Sequence, residues 1–282
     1  MMKKTEKSGN VLNKKSRIYI LYCYAITWSA WGTVILLSHG KISPEQPLYL
    51  LYGLGGLLGP VLAAFIAHKF YGPKNEFKQF LQQLVRVKLH YMWFMGIILL
   101  PFALSFLPFS MEWSNSGHMG EIFVKPYYTV FLTLPMFIIG GGMEELGWRG
   151  TLLPELNKKY SIFTSTLVVT VFWLFWHVPL WFINGTVQFG SNLEIFMISL
   201  LTISLLLSAV YIKTRSIFLC VLLHALFNSN GSYFAASNVE ATWPEYLTVI
   251  IQLFICFIIY YFLVRRNNLF KKIPPIRIKN TD

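Results

Sequence analysis

The stretch FLTLPMFIIGGGMEELGWRG, Phe131 to Gly150, decides the fold class. Its first half is apolar except for Thr133. Three glycines follow, then two adjacent glutamates and, four residues on, an arginine. Taken alone, the second half reads as a polar loop. Its surroundings argue otherwise. The chain is 55% hydrophobic and 17% aromatic, and its 13% of charged residues is about half the roughly 25% usual in soluble domains. Apolar runs long enough to cross a bilayer recur from one end to the other. The pattern predicts an all-α, polytopic membrane helix bundle of about eight transmembrane helices, near 18–38, 48–70, 90–109, 130–153, 163–183, 193–212, 216–232 and 246–264. The glutamates therefore belong to the fourth span.

Charge placement orients this bundle. A net charge of +12 invites nucleic acid as a partner, but the basic residues gather in MMKKTEKSGNVLNKKSR, KFYGPKNEFKQFLQQLVRVK and RRNNLFKKIPPIRIKNTD, which flank spans. With the N-terminus inside, only Lys41 and Lys125 of the 24 Lys and Arg residues fall on the outer side. The excess of inner positive charge predicts a multi-pass protein of the cell membrane with both termini cytoplasmic, facing anionic lipid and no nucleic acid. The division expected is a basic tail over 1–17, one membrane domain over 18–264 and a second basic tail over 265–282. No cleavable signal peptide pattern is present, since the first apolar run is long, lacks a small-residue cleavage site and is followed by further spans. In the 71–89 segment, Phe77, Phe80, Leu81, Leu84 and Val85 recur at helical spacing, as expected of an amphipathic helix lying on the inner membrane surface. Gly55 and Gly59, four apart in the second span, predict a close helix–helix approach. Cys23, Cys220 and Cys256 lie singly in apolar runs and read as buried small side chains.

Of twelve acidic residues, ten fall in loops, tails or span ends, leaving Glu144 and Glu145 inside the membrane. An ionisable group there costs at least about 2.5–3.5 kcal/mol, which marks it as functional unless it is paired. Glu145 has Arg149 at i+4, in the favourable order for an internal ion pair. Glu144 points about 100° away around the helix and has no basic residue at +3 or +4. Two more ionisable side chains lie deep within spans: His177, ending FWLFWH, and His224 in LLHALFN, with Asn228 one turn beyond it. Singly, each histidine is an ordinary packing residue. Together the set offers a base, two imidazoles and an amide donor for an oxyanion. At 1.5 Å per residue, His177 lies about 14 residues and His224 about 8 residues into their spans, so both reach the middle third of the bilayer. Glu144 reaches the same depth only if the fourth span continues past Arg149 to about Thr151–Pro154. Gly140, Gly141 and Gly142 leave room beside the glutamates for a substrate backbone or a neighbouring helix.

EELGWR fits the EExxxR motif, and LHALFN the HxxxN motif, of the CPBP family of intramembrane proteases. That family comprises the type II CAAX prenyl endopeptidases and the bacterial Abi, or bacteriocin self-immunity, proteins. Its FxxxH motif is met in part: His177 is present, but Trp173 stands at the Phe position with Phe172 beside it. The resemblance covers about 130–230. It implies an intramembrane endopeptidase that cleaves a membrane-associated or CAAX-like peptide or protein, with Glu144 activating water beside His177 and His224. Asn228 would hold the oxyanion, and Glu145 with Arg149 would brace the site. It leaves open whether Glu144, His177 and His224 hold a divalent metal such as zinc or order the water themselves. Other protease classes lack their residues: there is no HExxH and no Gly-x-Ser-x-Gly, and the sole aspartate is Asp282. Outside catalysis, the same residues suit a non-catalytic bacteriocin immunity or scaffold protein, or the proton relay of a transporter.

Overall fold

A computed structural model describes residues 11–87, 90–116, 128–234 and 243–265. The expected tails, and the outer-loop residues Glu121, Lys125 and Glu240, lie wholly or largely outside these. The described residues form nine helices and no strand: α1 (Lys14–Ser38), α2 (Pro47–Tyr71), α3 (Glu76–Leu84), α4 (Tyr91–Ser116), α5 (Thr129–Asn157), α6 (Ile162–Phe182), α7 (Leu193–Thr214), α8 (Ile217–Phe234) and α9 (Trp243–Arg265). Six are long and apolar enough to span a membrane, and α4 and α8 contain shorter apolar stretches, Tyr91–Leu107 and Ile217–Gly231. These eight fall at the positions of the eight spans expected.

The helix starts follow from local chemistry. Asn13, Ser161 and Asn192 each accept from a backbone N–H in the first turn, at 2.9, 3.1 and 3.0 Å, filling donors a helix leaves orphaned. The glycines of α2 act as expected. Gly55 and Gly59 face Ala30, Trp31, Cys23 and Thr27 on α1, and the Thr27 hydroxyl donates to Gly55 O at 2.9 Å. The three cysteines are free and buried.

The α3 segment is helical but divides its apolar face differently from the expectation. Phe80 is buried, stacked on His68 with ring centroids 4.2 Å apart and edge-on to Phe65 at 5.8 Å. Phe77 meets Phe65 at 5.7 Å, while Leu81 and Val85 stay exposed. Tyr211 of α7 donates to Gln83 Oε1 at 2.9 Å. The helix is thus docked on the bundle, because residues three apart on it meet one aromatic of α2.

The element carrying the glutamates is composite. It is α-helical to Gly140, tightens to a 3₁₀ turn over Gly142–Glu144, resumes as α over Glu145–Gly147, widens to a π-helix over Trp148–Leu152 and ends as α over Leu153–Asn157. It does run past Arg149, as the depth of Glu144 requires. The changes of winding accompany close approaches. A Cβ on Gly142 would sit 2.7 Å from Val221 O of α8, so α8 crosses where only hydrogen fits. π-turns inside α-helices are frequent at functional sites.

Candidate active site

The two glutamates have unlike surroundings. Glu145 is fully buried, and its Oε1 accepts from Arg149 Nη1 at 3.1 Å and lies 2.8 Å from His224 Nδ1. Arg149, also fully buried, donates from Nη2 to Ser204 Oγ at 2.9 Å, and its guanidinium lies 4.5 Å from the centre of the Trp173 ring. Thr170 in turn donates to Ser204 at 2.7 Å. Glu145 Oε2 and Arg149 Nε have no protein partner among the described residues. The expected Glu145–Arg149 pair is present, and it holds His224 as well.

Among the described residues, no Lys or Arg forms an ion pair with Glu144. Its Oε2 accepts from Trp173 Nε1 at 2.7 Å and, more weakly, from Trp148 Nε1 at 3.4 Å. Trp148 lies one turn beyond Glu144 on the same helix, and Trp173 one turn before His177 on α6. Each tryptophan is therefore within one turn of a residue the sequence singled out, which is the signal that could have found it. Ser204 and Thr170 carry no such signal.

Both imidazoles are oriented. His177 Nδ1 lies 2.8 Å from Trp173 O. A carbonyl can only accept, so Nδ1 carries the hydrogen and Nε2 presents a lone pair. The His177 ring packs edge-on against Trp176 at 4.8 Å and Phe196 at 5.2 Å. His224 is tied through Nδ1 to Glu145, and its ring meets Trp173 edge-on at 5.3 Å. Its Nε2 lies on the Gly141 side: a Cβ built on Gly141 would be 3.4 Å from it and would collide with Asn228 Nδ2. The structure therefore brings Asn228, His224 and the glycine break together, and joins Glu144 to both imidazoles through Trp173.

A cavity of about 250 Å³ lies between α4, α7, α8 and α9, lined by Leu104, Ser105, Ser199, Thr202, Ile203, Phe227, Gly231 and Gln252. None of the site residues lines it. Among the described residues no three His, Cys, Asp or Glu side chains are grouped as metal ligands, Glu144, His177 and His224 included.

Fold and site define a polytopic helical membrane protein with a carboxylate–imidazole centre buried in its spans. Residues 126–230, which include every candidate site residue, match the family described as type II CAAX prenyl endopeptidase Rce1-like. The chain is also similar to CAAX prenyl protease 2 of Methanococcus maripaludis, 28% identical over 242 residues, covering 79% of this chain and 86% of that protein. Both comparisons agree with the resemblance read from the motifs, and over that region the chain is similar to the Rce1-like family. Both matched names are those of proteases; neither names an immunity protein or a transporter.

Proposed function

We propose that this protein is an intramembrane endopeptidase in which Glu144 activates water. The observation that carries the reading is the asymmetry of the adjacent carboxylates. Glu145 has a guanidinium and an imidazole, whereas Glu144 has only neutral donors on one oxygen and no hydrogen bond to Oε1 among the described residues. Oε1 takes a proton from water, and the oxygen attacks the scissile carbonyl carbon. His177 Nε2 accepts the second water hydrogen and orients the molecule. Asn228 Nδ2 donates to the oxyanion. When the C–N bond breaks, Glu144 returns the proton to the departing amine. Glu145, Arg149 and Ser204 keep His224 and Trp173 in place.

The substrate class follows the relative's name: a peptide or protein with a CAAX-like C-terminus at the membrane surface. The test is cleavage of such peptides, prenylated and unprenylated, by purified protein in proteoliposomes. Turnover by wild type that is lost in Glu144→Gln and survives dialysis against a chelator is the expected result. An inactive wild type sinks the protease reading, and loss on chelation with recovery on zinc replaces the metal-free route. The same reading puts the protein in the cell membrane with both termini cytoplasmic and 18–264 as one membrane domain, supported by the inner excess of Lys and Arg. A reporter fused after Asp282 should read as internal; an external signal reverses the orientation.

A further inference from the structure

Resting on the protease reading, the geometry points to Trp173 as a positioning residue that clamps one oxygen of Glu144 so that the other alone is presented as the base. Its indole N–H donates to Oε2 at 2.7 Å, with Trp148 adding a longer contact of 3.4 Å to the same oxygen. An indole nitrogen is donor only. It holds the carboxylate without being able to accept the proton that Glu144 takes from water, so the clamp does not compete with the chemistry. A lysine or arginine in its place would leave Glu144 in an ion pair, as it leaves Glu145.

The clamp is itself held. Trp173 is 2% exposed, with the Arg149 guanidinium 4.5 Å from its ring centre, the Trp148 ring 6.4 Å away and the His224 and His177 rings at 5.3 and 5.8 Å. Its backbone carbonyl fixes the hydrogen on His177 Nδ1. One residue thus orients the base through its side chain and the water-orienting imidazole through its main chain. The Glu145–Arg149 pair contributes through the same ring: by holding Arg149 against Trp173, it steadies the donor that steadies Glu144. A base held in one rotamer pays less to reach its reactive geometry, and misplacement by about 1 Å can cost about a hundredfold in rate.

The test is Trp173→Phe in the full chain, which removes the N–H and keeps an aromatic ring. The expected result is a kcat lower by about 10–100-fold with KM within about twofold of wild type, at normal abundance and melting temperature. Should phenylalanine pack poorly and lower abundance, benzothienylalanine at position 173 keeps the shape and replaces only the N–H. A second readout needs no activity. The indole ¹⁵N–H signal of Trp173, assigned by its loss in Trp173→Phe, should shift in Glu144→Gln. An active wild type with unchanged kcat in the variant, or a rise in KM without a fall in kcat, overturns the clamp, as does an indole signal indifferent to Glu144→Gln. A wild type that cleaves no peptide overturns the protease reading, and the indole signal then decides separately whether the clamp exists.

Discussion

Two clusters of ionisable side chains among the described residues are balanced differently. At the α3 end, Lys15 Nζ lies 2.9 Å from Glu76 Oε1, 3.2 Å from Glu155 Oε1 and 3.0 Å from His68 Nδ1. Lys158 reaches Glu155 at 2.6 Å, and Asn13 donates to the same carboxylate at 2.7 Å. His68 Nε2 also lies within hydrogen-bonding reach of Gly150 O and Thr151 Oγ1, at 3.3 and 3.2 Å, in the π-turn of α5. Two carboxylates face two ammonium groups, and the cluster ties α1, α2, α3 and α5 together. In the other cluster two carboxylates share one guanidinium, and Glu145 holds it. The lesson is that an ionisable group's partners, more than its depth in the membrane, separate scaffold from chemistry. A carboxylate with a dedicated cation is committed to the fold, and one held only by neutral donors keeps an oxygen for a substrate or water.

The comparison can be broken in four places. The largest effect is expected from Glu144→Gln: peptide turnover falls by about 10³-fold, within the range for removing a general base, while abundance and thermal stability stay at wild-type values. A loss of abundance as deep as the loss of turnover would make Glu144 structural. Next is Arg149→Ala, which leaves Glu145 as a buried charge without its cation and should cost about 3–5 kcal/mol of stability, read as a lower unfolding midpoint and reduced abundance. An unchanged midpoint would show that His224 suffices to hold Glu145. Third, Gly141→Ala places a methyl against Asn228 Nδ2 and next to His224 Nε2, and should lower turnover by about 10–100-fold with a melting temperature near wild type. Full turnover would place Asn228 outside the reaction. The smallest effect on turnover comes from Lys15→Met. Stability should drop by about 1–3 kcal/mol and proteolysis near α3 should quicken, while turnover per folded molecule is unchanged. A fall in turnover on the scale of Glu144→Gln would mean that the two clusters are one functional unit.

The sequence by itself determined the fold class and the places of about eight apolar helices, with Glu144, Glu145, His177 and His224 among them, because these rest on local quantities. Hydrophobic length sets a span, and spacing along one helix sets the Glu145–Arg149 pair. The scarcity of charge in a chain this apolar isolates Glu144 and Glu145 by elimination, and the depth of His177 and His224 in their spans sets those two beside them. The docking of α3 was not legible, since amphipathic spacing is satisfied equally by lipid and by the Phe65 face of α2. Nor was the division of labour between the site residues. Which imidazole Glu145 takes, which glycine makes room for Asn228, and which donors meet Glu144 all depend on how α5, α6 and α8 cross. The crossing is set by close backbone contacts such as Gly142 on Val221 and by the change of winding over Gly142–Leu152, and helix periodicity alone carries neither. Trp173 shows the limit most clearly. Its spacing identified an aromatic next to His177, but only the tertiary structure turned its one polar atom toward a carboxylate 29 residues away in sequence.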